Sequence, residues 1–135
     1  MEPNTMTGKR GFSLLELMIV MTIISILAAI ALPMYKTSIV RAKETVLKDN
    51  LRSLRETIDQ YTADKKKAPQ SLQDLVDAGY FRDLPLDPIT NSRLTWQTIM
   101  DNSTLSAADQ TQTGIADVKS GSAGVSTEGT AYNTW

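Results

Sequence analysis

The sequence predicts an α+β protein built on one long N-terminal α-helix, from about Phe12 to Ala63, with a small C-terminal head. Three observations carry that expectation. An uncharged apolar run extends from Leu17 to Leu32. Apolar residues then recur at spacings of three or four as far as Tyr61. Beyond Lys67 the pattern changes to short-helix, turn and strand signals, which predict a head with a short helix and a two- or three-stranded antiparallel sheet packed on the long helix. The expected divisions are 1–11, a polar leader; 12–32, an apolar helix; 33–64, an amphipathic stem; and 65–135, the head.

The leader, MEPNTMTGKRG, places Lys9 and Arg10 directly before the apolar segment. From Phe12 to Leu32 a single charge, Glu16, interrupts the apolar character. At about 1.5 Å per helical residue this stretch spans a hydrocarbon core of roughly 30 Å. The basic pair predicts that the N-terminal end stays in the cytoplasm. Three explanations compete: a secretory signal peptide, for which AAIALP supplies a poor cleavage site, a plain membrane anchor, and a buried soluble helix. The run is apolar all round and long for so small a domain, which favours the anchor.

Glu16 separates these readings. A carboxylate near the edge of a membrane segment is costly and needs a partner, and neither a plain anchor nor a signal peptide has a use for one. The string Lys9-Arg10-Gly11-Phe12-Ser13-Leu14-Leu15-Glu16-Leu17 resembles the leader junction of type IV prepilins and pseudopilins. The resemblance implies cleavage between Gly11 and Phe12 by a prepilin peptidase, methylation of the new amine of Phe12, and the carboxylate of Glu16 five residues into the mature chain. Glycine before the scissile bond presents no side chain to an approaching peptidase. Cutting ahead of the apolar run leaves the anchor in the product. In an apolar filament core an unpaired carboxylate costs several kcal/mol on the order-of-magnitude scale, so pairing of Glu16 with a neighbour's amine would set the register of assembly.

Pro33 follows the apolar run and removes a helical hydrogen bond. It is expected either to kink the helix at the membrane boundary or, as the resemblance implies, to mark where the helix melts and extends in a filament. In the stem, Tyr35, Ile39, Ala42, Val46, Leu47, Leu51, Leu54, Ile58 and Tyr61 form the expected buried stripe. Lys36, Arg41, Lys43, Glu44, Lys48, Asp49, Arg52, Arg55, Glu56 and Asp59 fall between them. Lys65, Lys66 and Lys67 read as a solvated last turn that complements the helix dipole rather than as a binding site.

In the head, Ser71 is an expected N-cap with Asp74 three residues on, Leu72, Leu75 and Val76 an apolar face, and Gly79 a C-cap. Leu84-Pro85-Leu86-Asp87-Pro88 predicts an extended loop. Gly79-Tyr80 and this loop resemble the head of major pseudopilins of type II secretion systems, giving a type IV pilin-like fold. The resemblance is partial: Ile89-Thr90-Asn91-Ser92 stands where Trp-Gly-Asn-Pro is common. Arg93–Met100 and Thr113–Lys119 are expected strands, joined by a polar loop. The Ser-, Thr- and Gly-rich tail has a disordered composition, whereas Tyr132 and Trp135 argue for docking. The resemblance further implies a calcium site in this C-terminal loop. Asp117, Ser120, Ser122 and Glu128, together with backbone carbonyls, are the candidate ligands, but Ala123 stands before Gly124 where an acidic residue is common. The alternative is a polar loop closed by hydrogen bonds and glycine turns.

Composition excludes much else. The chain has no cysteine and no histidine, so disulfides, thiolate metal sites and the usual nucleophile–histidine pairs are absent. Asp83 and Asp87 flank the proline loop, and Asp74 and Asp77 sit on a short helix, so neither pair reads as a catalytic dyad. A net charge of -1, with 14 basic and 15 acidic residues, offers no basic footprint for nucleic acid. No enzyme is expected. With the resemblance, the expectation is a structural subunit of a pseudopilus supporting protein export, with a type IV pilus subunit for adhesion, motility or DNA uptake as the alternative. The absence of cysteine favours the former, because many pilins close this loop with a disulfide. The implied partners are copies of itself in a helical filament, the prepilin peptidase, an inner-membrane assembly platform with its ATPase, and minor pseudopilins. The implied location is the bacterial inner membrane, with one crossing and a periplasmic head.

Overall fold

The computed structural model describes residues 1, 8, 10–101 and 113–135. Lys9 and most of the expected loop between the strands lie outside the described residues. The element order is α1 (Leu14–Lys65), α2 (Gln73–Asp77), β1 (Gln97–Asp101), β2 (Gly114–Lys119) and a closing 3₁₀ turn, Tyr132–Thr134. The chain divides into two compact units, Met1–Thr37 and Ser38–Trp135.

In the first unit α1 begins two residues after the expected start, because Ser13 caps it. The Ser13 Oγ accepts a hydrogen bond from the backbone N–H of Glu16 at 3.1 Å. Serine followed three positions later by glutamate is the residue pattern of a capping box. The segment carries the apolar span: α1 is long and apolar enough to cross a membrane. From Phe12 to Tyr35 every large apolar side chain is exposed. Helical backbone continues through Pro33, and the Thr37 Oγ1 donates to the Pro33 carbonyl at 3.2 Å.

In the second unit the core joins the stem to the head. Leu47, Leu51, Leu54, Ile58 and Tyr61 of α1 are buried with Leu72, Leu75, Trp96, Ile115, Val118 and Tyr132. The expected stripe is right from Leu47 onward. Before that it fails: Tyr35, Ile39 and Val46 are exposed, and Glu44 is buried. Glu44 continues the spacing 44, 47, 51, 54, 58 and 61, so helical geometry puts it on the inner face.

The short helix α2 is capped differently from the expectation. Asp74, not Ser71, supplies the capping acceptor: its carboxylate accepts from the backbone N–H groups of Gln70 and Ser71 at 2.8 and 3.0 Å and from the Ser71 hydroxyl at 2.9 Å. Gly79 closes the helix with φ of 83°, a left-handed conformation that costs glycine little. Tyr80 then turns back to the stem. Its hydroxyl donates to Asp64 at 2.6 Å, and its ring meets Tyr61 edge-on with centroids 5.7 Å apart.

The sheet has two antiparallel strands, with Gln97 opposite Lys119 and Ile99 opposite Asp117. A shift between Ile99 and Met100, which faces Ile115, leaves Ala116 as the bulged residue. The first strand starts later than expected. Arg93–Trp96 lead out of a turn in which Asn91 adopts φ of 53° and Asp87 bridges Ser92. Trp96 is instead a core residue whose indole N–H donates to the Pro85 carbonyl at 2.9 Å. After β2 the backbone passes so close to Thr95 that a Cβ at Gly121 would collide with the Thr95 carbonyl oxygen.

Candidate functional site

The processing and assembly residues lie on the exposed N-terminal stretch. Gly11 and Phe12 precede the Ser13 cap in non-helical backbone, and Glu16 sits in the first turn of α1. Arg10, Gly11, Phe12 and Glu16 line one open hollow. Among the described residues a Cβ at Gly11 would meet nothing within 4 Å, so none of them demands glycine there. Glu16 is exposed and stands within the membrane-length segment. The structure brings Gly11, Phe12 and Glu16 together and places Pro33 further along the same helix. Ser13, which sequence reasoning passed over, was detectable from its spacing to Glu16.

The proline loop is held from within. Asp87 is fully buried. Its Oδ1 accepts from the N–H groups of Ile89 and Thr90 at 2.8 and 3.3 Å, and its Oδ2 accepts from the Ser120 hydroxyl at 2.7 Å. The Asp87 N–H donates to the Ser92 carbonyl at 3.0 Å. Asn50 of the stem donates to the Leu86 carbonyl at 2.9 Å. These bonds make Asp87 a structural carboxylate.

The four candidate calcium ligands do not converge. Asp117 accepts from the Arg55 guanidinium at 2.7 Å. Ser120 is committed as a donor to Asp87. Ser122 Oγ accepts the Gly124 N–H at 3.2 Å. Glu128 lies on the surface, 3.6 Å from the Lys48 ammonium. Among the described residues no group of three acidic side chains gathers in one place, and no buried side-chain nitrogen or oxygen lacks a hydrogen-bond partner. Calcium takes six to eight oxygens, usually including carboxylates. The residues present do not fit that ion; the loop is instead closed by hydrogen bonds and turns.

The closing contacts come from the stem. Glu44 Oε1 accepts from the Thr127 N–H at 2.7 Å and from the Tyr132 hydroxyl at 2.8 Å, while Oε2 accepts from the Thr127 hydroxyl at 2.6 Å. Arg55 donates to the carbonyls of Val118 and Trp135 at 2.9 and 2.8 Å. Lys48 lies 4.5 Å from the centroid of the Trp135 ring, within the range of a cation–π contact. Sequence reading placed all three on the polar face of the stem. Only the spacing of Glu44 ahead of Leu47 hinted otherwise.

The long apolar helix, the small two-stranded head and the leader junction together define a pilin-like subunit. Residues 6–32 match the family model of the prokaryotic N-terminal methylation motif. Type II secretion system core protein G of Pseudomonas aeruginosa is 33% identical over 97 residues, covering 60% of this chain and 68% of that protein. The corresponding protein of Klebsiella pneumoniae is 33% identical over 99 residues, covering 62% and 71%. The type IV major pilin protein PilA of Myxococcus xanthus is 50% identical over 56 residues, but these cover 42% of this chain and 23% of the pilin. No solved structure gives a match. The chain belongs to the family of type II secretion system core protein G.

Proposed function

We propose that this chain is the structural, non-catalytic subunit of a type II secretion pseudopilus. The observation that carries this reading is the extent of the likeness. Similarity covering 60% of the chain must include part of the head, because leader and α1 end at Lys65 of 135 residues. The pilin similarity covers 42%, which leader and helix can accommodate.

In this reading a prepilin peptidase cuts between Gly11 and Phe12 and methylates the Phe12 amine. The non-helical backbone at Gly11 and Phe12, ahead of the Ser13 cap, suits a peptidase, which needs access to a segment outside regular structure. Residues 12–32 anchor the product in the inner membrane, with the N-terminus cytoplasmic and the head periplasmic. Copies then polymerise through their apolar helices. Glu16 pairs with the Phe12 amine of a neighbour, and Pro33 is where the helix can open during assembly. An assembly platform, its ATPase and minor pseudopilins serve as partners.

The direct test is co-expression with a prepilin peptidase, followed by intact-mass measurement. The expected product lacks Met1–Gly11 and carries one methyl group, and blocking cleavage at Gly11 abolishes filament formation. Retention of the leader would overturn the processing scheme. Deleting the gene should trap exported proteins in the periplasm; loss of surface motility with normal export would favour the pilus instead.

A further inference from the structure

We propose that Glu44 closes the C-terminal loop onto the stem helix in place of a metal ion, so that this head keeps that loop docked without calcium. The proposal concerns the head alone and stands apart from the processing of the N-terminus.

The polarity of the loop carries the argument. A calcium site turns carbonyl and carboxylate oxygens inward. Here the loop turns donors toward oxygens of the protein. The Ser126 Oγ accepts from the N–H groups of Glu128 and Thr130, each at 3.2 Å. The backbone closes across it, with Ser126 N–H on the Thr130 carbonyl at 2.7 Å and Gly129 N–H on the Ser126 carbonyl at 3.0 Å. Three further donors, the Thr127 N–H and hydroxyl and the Tyr132 hydroxyl, converge on Glu44. A ring of N–H and O–H donors suits an anion, and the anion is already supplied by the stem.

Burial makes the carboxylate consequential. Glu44 is 6% exposed, and a buried charge is tolerable only when paired and hydrogen-bonded. The bonds join positions 83 and 88 residues apart in the chain, so one side chain ties the last turn of the head to α1. Around it, Lys48 faces Glu128 and Trp135, Tyr132 meets Trp135 edge-on at 5.2 Å, and Arg55 holds the Trp135 carbonyl. Glu44, Lys48 and Arg55 lie along the loop-facing side of one helix, so a single rigid element pins the tail at three points.

The test uses the full chain in detergent micelles, with thermal unfolding and amide hydrogen exchange measured in a chelator and in millimolar calcium. The wild type is expected to give the same midpoint and the same protection of residues 124–135 in both. Glu44→Gln should raise exchange at Thr127–Tyr132 by about tenfold or more, the scale of losing hydrogen bonds to a charged group, and calcium should not restore it. Stabilisation of the wild type by calcium, or unchanged protection in Glu44→Gln, would overturn the proposal. Tyr132→Phe removes one hydroxyl and decides the matter should Glu44→Gln fail to fold: faster exchange at Thr127 supports the clasp, and unaltered exchange sinks it.

Discussion

Hydrogen-bonded carboxylates are expected to set the acid limit of this head. Burial by itself would raise the Glu44 pKa, but the Thr127 side chain and backbone, the Tyr132 hydroxyl and the nearby Lys48 outweigh it and hold the group below its usual 4.5. Asp74 follows the same logic: burial opposes ionisation, and the Ser71 and Gln70 donors with Lys67 bring it below 3.8. Each group binds protons more weakly when folded, so its contribution is present above the unfolded value and is lost as pH falls through the lowered one. Tyr132 sets the opposite limit. Burial, then its bond to Glu44, pushes the phenol up from 10.0 to about 12, so its contribution is full below 10 and fades as pH rises toward 12. Stability measured by urea unfolding should therefore be flat near neutrality and decline below about pH 4.5. Glu44→Gln should make the acid decline shallower; an unaltered acid limb would show that Glu44 does not contribute to it. None of this was legible from the residue types. Glu44 was grouped with Lys43 and Lys48 as polar surface because charge is normally solvated, and only the folded loop supplies the donors that make its burial possible.

At the scale of elements, α1 separates into faces with different energetic weight. Leu54 is fully buried and Val46 is 47% exposed. Leu54→Ala should cost about 2–5 kcal/mol through lost burial and the cavity left behind. Val46→Ala should change stability by about 0.5 kcal/mol or less, as expected for a surface substitution. Chemical denaturation of the two variants side by side checks this, and equal losses would refute the assignment of faces. The helix and the Gly79 stop were readable because a 3.6-residue period and a left-handed glycine are local properties. The start of β1 was not readable. Arg93–Trp96 have strand-forming composition, yet the Asp87–Ser92 bridge and the indole bond to Pro85 hold them in a turn and a core contact.

At the scale of the whole molecule, the two units have different surfaces. The unit ending at Thr37 exposes its large apolar side chains, including Ile19, Ile23 and Ile30. Such a surface belongs against lipid or other apolar helices. Within it, Glu16 is an exposed carboxylate in the first turn of the apolar helix, and in the proposed reading it pairs with a neighbouring subunit. Glu16→Ala should accordingly leave membrane insertion intact and impair filament assembly, measured by membrane fractionation alongside cross-linking between subunits. Normal filament yield would count against pairing between subunits.

Gly11-Phe12-Ser13-Leu14-Leu15-Glu16, the apolar run and the periodic stem were determined by sequence alone, because leader recognition, hydropathy and helical spacing act over a few neighbouring residues. Those features carried the pilin-like class and the long helix, whereas the choice of pseudopilin over pilin rested on the head, with its lack of cysteine, Gly79-Tyr80 and the Leu84–Pro88 loop. What closes the head was decided only by tertiary structure. Glu44 meets Thr127 and Tyr132, Arg55 meets Asp117, and Asp87 meets Ser120 across separations of 33 to 88 residues. Hydrogen-bond partners that distant leave no period or spacing to read, so the sequence could suggest a polar loop closed by hydrogen bonds and glycine turns, with Tyr132 and Trp135 docked, but not which stem residues hold it.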